Sequence, residues 1–117
     1  FASYRKCSGL EKANFLSAIA DEILSLGDDL LVQYSSESGF PRGRAEGERG
    51  RMIGQLRSFA TMLTEGSWVQ ATIDTAIPDR QPAPKEDLRK MLVPLGPIVV
   101  FGSSNFPFAF SKHSLPS

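Results

Sequence analysis

The sequence predicts an α/β chain, helical in its first half and β-forming in its second. Three observations carry that expectation. Between residues 8 and 66 the apolar residues recur at three- and four-residue steps, the spacing of one helix face. From Gly66 the period drops to two, as in a half-covered strand. Residues 97–102 then form a short, continuous apolar run that leads into small residues, an amide and a proline. A strand buried on both faces of a parallel sheet reads this way.

The first helix starts at a capping box. Ser8 and Glu11 are placed so that the hydroxyl and the carboxylate each bond the other's backbone amide. Leu10, Ala13, Leu16, Ala20, Ile23 and Leu24 then mark one face, and Gly27 is a natural stop. Asp28 or Asp29 offers a second N-cap, with Leu30, Leu31 and Tyr34 facing inward and Gly39 ending the helix. Pro41 suits the first turn of a third helix running to about Thr64, ahead of Gly66. In that helix Gly43, Gly47, Gly50 and Gly54 fall on one side. Each costs roughly 1 kcal/mol relative to alanine, so the reading expects a neighbouring backbone to approach them closely. The interleaved Arg44, Glu46, Glu48, Arg49 and Arg51 are read as a solvated face, or else as a helix–helix or subunit contact with the arginines pairing across it. Met52, Ile53, Leu56, Phe59, Ala60 and Leu63 form the apolar face beyond them.

In the second half, residues 68–73 alternate as a strand and residues 88–93 can pair back on them. The stretch between, residues 78–87, holds three prolines and five charges and reads as a long exposed connection. Phe106, ahead of a proline, belongs to a turn, and a helix is expected to begin at Pro107.

Composition removes several function classes. The chain has 117 residues, with 13 Lys+Arg against 13 Asp+Glu. A neutral balance without a basic stripe argues against nucleic-acid binding. At 41% hydrophobic and 22% charged it is too apolar to stay unfolded. Its longest apolar stretch, residues 91–101, is broken by Pro94, Gly96 and Pro97 and falls short of the roughly 18 residues a membrane span needs. One cysteine permits no internal disulfide and no cysteine-based zinc site, and suits a cytoplasmic protein. Because it opens at Phe1 without an initiator methionine, the natural protein is expected to extend upstream.

Chemistry is best placed at Asn105. The predicted strand and turn put it in the crevice beyond the carboxyl end of a strand, where open α/β sheets bind ligands. Its amide either bonds the turn backbone or uses its two donors to hold an oxyanion. Cys7 lies just before a helix N-cap, but nothing nearby supplies a base or a substrate crevice, so it is read as a bystander. His113 is read as a surface residue, and Asp21/Glu22 and Asp28/Asp29 as helix-surface and capping residues. No spacing suggests a metal site, a phosphate-cradling glycine loop or a Ser/His/Asp set.

The run from Pro97 through Phe101-Gly102-Ser103-Ser104-Asn105-Phe106-Pro107 to Ser111 resembles the strand–turn–helix opening of the aldehyde dehydrogenase superfamily, with Asn105-Phe106-Pro107 as the hallmark. Gly47-Glu48-Arg49-Gly50-Arg51, Gly54-Gln55-Leu56-Arg57 and the segment from Arg89 to Pro97 are similar to one branch. That branch holds the α-ketoglutaric semialdehyde dehydrogenases and some NADP-dependent fatty-aldehyde dehydrogenases. The resemblance covers roughly residues 1–111. It implies the N-terminal part of a Rossmann-like cofactor domain, incomplete here, with an oligomerisation hairpin at about residues 67–94 and a tail of uncertain origin at residues 112–117.

The resemblance also implies roles. Asn105 would be one oxyanion-hole donor, stabilising the thiohemiacetal oxygen formed when a cysteine thiolate attacks an aldehyde, in particular a semialdehyde. Phe101, Gly102, Ser103 and Ser104 would line the NADP or NAD site, largely through backbone. Many relatives carry tryptophan where this chain has Ser104, which leaves the nicotinamide contact there open. The family's nucleophilic cysteine and general-base glutamate find no match here, so this chain alone is expected to be inactive. The family's cofactor-binding lysine is not carried over to Lys112, since Lys112-His113 lacks the preceding apolar strand. The competing reading is a non-catalytic helix and β-ribbon interaction module.

Overall fold

The computed structural model describes residues 1–108. A short 3-10 turn at Tyr4–Lys6 precedes three helices: α1 (Gly9–Ser25), α2 (Gly27–Ser38) and α3 (Arg42–Glu65). A second 3-10 turn at Ser67–Val69 leads to β1 (Thr72–Asp74), which pairs with β2 (Leu88–Lys90). The radius of gyration is 20.6 Å, against about 13 Å for a compact chain of this length. No helix among the described residues is long and apolar enough to cross a membrane.

Local chemistry sets the helix ends. The Ser8 amide donates to Glu11 Oε2 at 2.7 Å and the Glu11 amide to Ser8 Oγ at 3.2 Å, completing the predicted capping box. Gly39 and Gly66 end α2 and α3 at φ of 71° and 82°, left-handed conformations that side chains oppose. Only Leu26 separates α1 from α2, so Asp28 and Asp29 sit inside the first turn of α2 and do not cap it as expected. Negative charge is favoured there by the helix dipole. Asp28 Oδ1 instead accepts from Arg42 Nη2 at 2.7 Å, tying α2 to the start of α3.

The core is the seam between α1 and α3. Ala13, Leu16 and Ala20 bury against Met52, Ile53, Leu56 and Ala60. Of the expected α1 face, Leu10 and Leu24 stay largely in solvent. At the far end α1 begins so close to α3 that a Cβ on Gly9 would stand 2.5 Å from the Leu63 carbonyl oxygen. The close approach expected at Gly43, Gly47, Gly50 and Gly54 does not occur. Those four face outward, with nothing within 4 Å of where a Cβ would stand. The apolar stripe of α3 has already chosen the side that packs, and the glycines lie opposite it.

The second half departs further from expectation. Residues 68–73 do not form one strand, because Gln70 adopts a left-handed conformation (φ 45°) and closes a turn over the tryptophan. The ladder is Thr72↔Lys90, Ile73↔Arg89 and Asp74↔Leu88, antiparallel, prolonged by an isolated Ile77↔Lys85 bridge that draws in the connection. Beyond β2 the Leu92 amide donates to the Val69 carbonyl at 2.8 Å. Both strands are exposed along their whole length. No strand forms over residues 97–102, and the buried-strand expectation fails here: Val99 is 79% and Phe101 94% exposed. A strand needs a ladder partner, and no described segment runs beside this one. The helix expected from Pro107 and the tail at residues 112–117, with Lys112 and His113, extend outside the described residues.

Candidate active site

The segment bearing Asn105 is stretched between two anchors on the helical layer. At one, Gly96 is buried on the Phe1 ring, where Phe1, Tyr4, Leu63, Trp68 and Pro94 enclose a small cleft. At the other, Asn105 meets Arg44 near the start of α3. Leu63 and Arg44 are 19 residues apart on one helix, about 28 Å at the helical rise. Residues 97–103 join no helix or strand, and the chain turns at Ser104 and Asn105.

The turn at the second anchor is tight. The Phe106 amide donates to the Ser103 carbonyl at 3.2 Å, and the Ser103 hydroxyl donates to Asn105 Oδ1 at 2.5 Å. The Asn105 carbonyl accepts from Arg44 Nη2. With Oδ1 engaged, Asn105 has its two amide N–H donors to offer a ligand.

Beneath the turn lies a buried acid. Glu48 is 7% exposed. Its Oε1 accepts from the Tyr34 hydroxyl at 2.9 Å and from Arg44 Nε at 3.0 Å, and its Oε2 from the Phe108 amide at 3.1 Å. Burial pushes the Tyr34 phenol above its ordinary 10.0, and the carboxylate beside it pushes the same way. The Tyr34 ring packs on Phe108 at 4.7 Å between centroids. The Arg44 guanidinium lies over the Phe40 ring at 3.8 Å and faces the Phe106 ring at 4.9 Å, contacts favourable to a delocalised cation.

Of the residues predicted from sequence, Phe101, Gly102, Ser103, Ser104 and Asn105 lie together, all exposed, on one extended stretch and its turn. The described residues build no crevice of strand ends around them. Cys7 lies elsewhere, with Sγ 3.8 Å from the Ser3 carbonyl just before α1. Since α1 begins against Leu63, the thiol and Asn105 stand at opposite ends of α3. No metal-ligating cluster occurs among the described residues.

Sequence reasoning missed Tyr34, Arg44 and Glu48 as neighbours of the turn. The charged stretch divides between the two readings: Glu46 and Arg51 are exposed, whereas buried Glu48 pairs with Arg44 one turn away on α3 and accepts from Tyr34 of α2, and Arg49 Nη1 donates to the Gly27 carbonyl at 2.8 Å. A signal was present. Ala45, Glu48, Met52, Leu56 and Ala60 recur at steps of three and four, which puts the acid on the inward stripe of α3.

The sequence profile of the aldehyde dehydrogenase family matches residues 1–117. The chain belongs to that family. Among curated relatives it is 52% identical over 111 residues to α-ketoglutaric semialdehyde dehydrogenase 2 of Azospirillum brasilense. It is 46% identical over 111 residues to an α-ketoglutaric semialdehyde dehydrogenase of Acinetobacter baylyi. Each alignment covers 95% of this chain and 21% of the relative. The chain thus spans about a fifth of the length of these aldehyde dehydrogenases.

Proposed function

We propose that residues 1–111 are the N-terminal part of the cofactor domain of an NAD- or NADP-dependent aldehyde dehydrogenase that oxidises a semialdehyde to a carboxylate. The observation that carries this is the Asn105 turn: its carbonyl and Oδ1 are both engaged, so its amide N–H donors remain for substrate. Family membership and the semialdehyde named in both relatives support the substrate class.

In this reading the aldehyde is attacked by a cysteine carried elsewhere in the whole enzyme, since Cys7 lies before α1, towards the opposite end of α3 from Asn105. As the thiolate adds, charge collects on the former carbonyl oxygen. The Asn105 amide donates to that oxygen and lowers the barrier by stabilising the charge that develops there. Phe101, Gly102, Ser103 and Ser104 would hold a nicotinamide, which when bound would supply the hydride acceptor for the thiohemiacetal carbon. The residues present fit such a ring. Phe101, Gly102, Ser103 and Ser104 offer exposed backbone outside any ladder, and no atom lies within 4 Å of a Cβ position on Gly102. A flat ligand can therefore lie against the main chain there. The exposed β1–β2 ribbon, marginal in isolation, would be stabilised by docking on a second copy.

The test is Asn105→Ala in the whole enzyme. Turnover should fall by roughly 10²–10³ in kcat, as for loss of one oxyanion donor. Wild-type kcat in the variant would dismiss the role, and sustained aldehyde oxidation by the 117-residue chain alone would dismiss the division of labour.

A further inference from the structure

We propose that Arg44 and Glu48 are positioning residues that fix the Asn105 turn for the reaction, an inference that rests on the role proposed for Asn105. The geometry is a two-point clamp. Arg44 reaches one side of the turn, donating from Nη2 to the Asn105 carbonyl while its guanidinium faces the Phe106 ring. Glu48 reaches the other side, accepting from the Phe108 amide at 3.1 Å. The two jaws are joined by the Arg44 Nε to Glu48 Oε1 bond at 3.0 Å, and the Tyr34 hydroxyl secures the same oxygen at 2.9 Å. Helix α3 carries both residues one turn apart, so the turn takes its place from the most deeply packed helix of the fold.

The clamp holds the turn's backbone at the Asn105 carbonyl and the Phe108 amide, while the Phe108 ring packs on Tyr34 at 4.7 Å between centroids. Residues 97–104 are exposed except Val100, which is half-buried, and they form no ladder, so their backbone alone cannot fix an amide to the fraction of an ångström that catalysis requires. Arginine is specific to the task. Its planar fork serves Glu48 through Nε and Asn105 through Nη2 at once, and its flat face lies over Phe40 at 3.8 Å. Lysine keeps the charge and loses the fork. Glutamine at residue 48 keeps the shape, but its one carbonyl oxygen cannot accept on both sides of the group.

The experiment uses the whole enzyme with Arg44→Lys, with Glu48→Gln as a second variant, and reads amide hydrogen exchange and kcat. Arg44→Lys should speed exchange of the Phe106 and Phe108 amides, leave the α1–α3 amides unchanged, and lower kcat by about 10–10² with little change in KM. The kinetic loss should vanish in the Asn105→Ala background, because a positioning residue acts only through the group it positions. An unchanged turn, or an equal loss of kcat in both backgrounds, overturns the clamp. Wild-type kcat in Asn105→Ala alone overturns the role of Asn105 instead, and hydrogen exchange then still decides whether the clamp holds the turn. If Glu48→Gln fails to fold, Arg44→Lys, at a partly exposed site, carries the test.

Discussion

Leu16 and Leu95 are the same residue in two parts of one chain, and they live differently. Leu16 is 2% exposed in the seam of α1 and α3, whereas Leu95 is 88% exposed just past the ribbon. The helical half closes on itself because each helix brings its own backbone partners and needs only a neighbour for its apolar stripe. The second half has strand-forming residues that no described element covers, and Ile73, Leu88, Val99 and Phe101 are exposed. Hydrophobicity alone does not bury a residue. Burial requires an element whose backbone is already satisfied to lie against it.

That contrast can be broken most sharply by truncation. Leu16→Ala should cost about 2–5 kcal/mol of unfolding free energy by denaturant titration, since it opens a cavity in the seam. Leu95→Ala should stay within about 0.5 kcal/mol of the parent chain. Equal losses would mean that the apolar run past the ribbon is packed in solution.

Glycine gives the next largest effect, with opposite signs in one protein. Gly9→Ala forces a Cβ to 2.5 Å from the Leu63 carbonyl oxygen, a backbone atom that cannot swing aside. It should lose about 1–3 kcal/mol, as overpacked sites do. Gly47→Ala meets nothing within 4 Å and should gain about 0.5–1 kcal/mol through helix propensity. Thermal unfolding of the two variants side by side decides whether the seam or the glycine-lined face is the tight surface.

A smaller effect sharpens the polar end of the helical layer. Burial and Glu48 hold the Tyr34 phenol above 10.0. A neutral acid whose pKa is raised on folding contributes stability that is complete below its unfolded value. That contribution is lost as pH climbs through the raised one. Unfolding free energy should therefore fall as pH rises past 10.0, and Tyr34→Phe should remove that slope. A parallel slope in the variant would show that the alkaline loss comes from other groups.

Much of the helical half was legible in the sequence because its determinants are short-ranged. The Ser8–Glu11 box and the stops at Gly39 and Gly66 act within four residues of themselves, and they appear where the sequence puts them. The Asn105-Phe106-Pro107 turn was legible for the same reason. The site around it was not. Glu48 looks like solvated charge beside Arg44 and Arg49, and only the docking of α2 and of residues 105–108 turns it into a buried acceptor.

By itself, then, the sequence determined the cap that starts the first helix, the glycines that end the second and third, and which turn holds Asn105. Tertiary structure alone decided which glycine is crowded, which carboxylate is buried and which apolar run stays in water. The physical reason is range. Caps, turns and periodicity are settled by neighbours along the chain, while burial and charge pairing depend on which distant backbone arrives, as Leu63 does at Gly9 and Phe108 at Glu48.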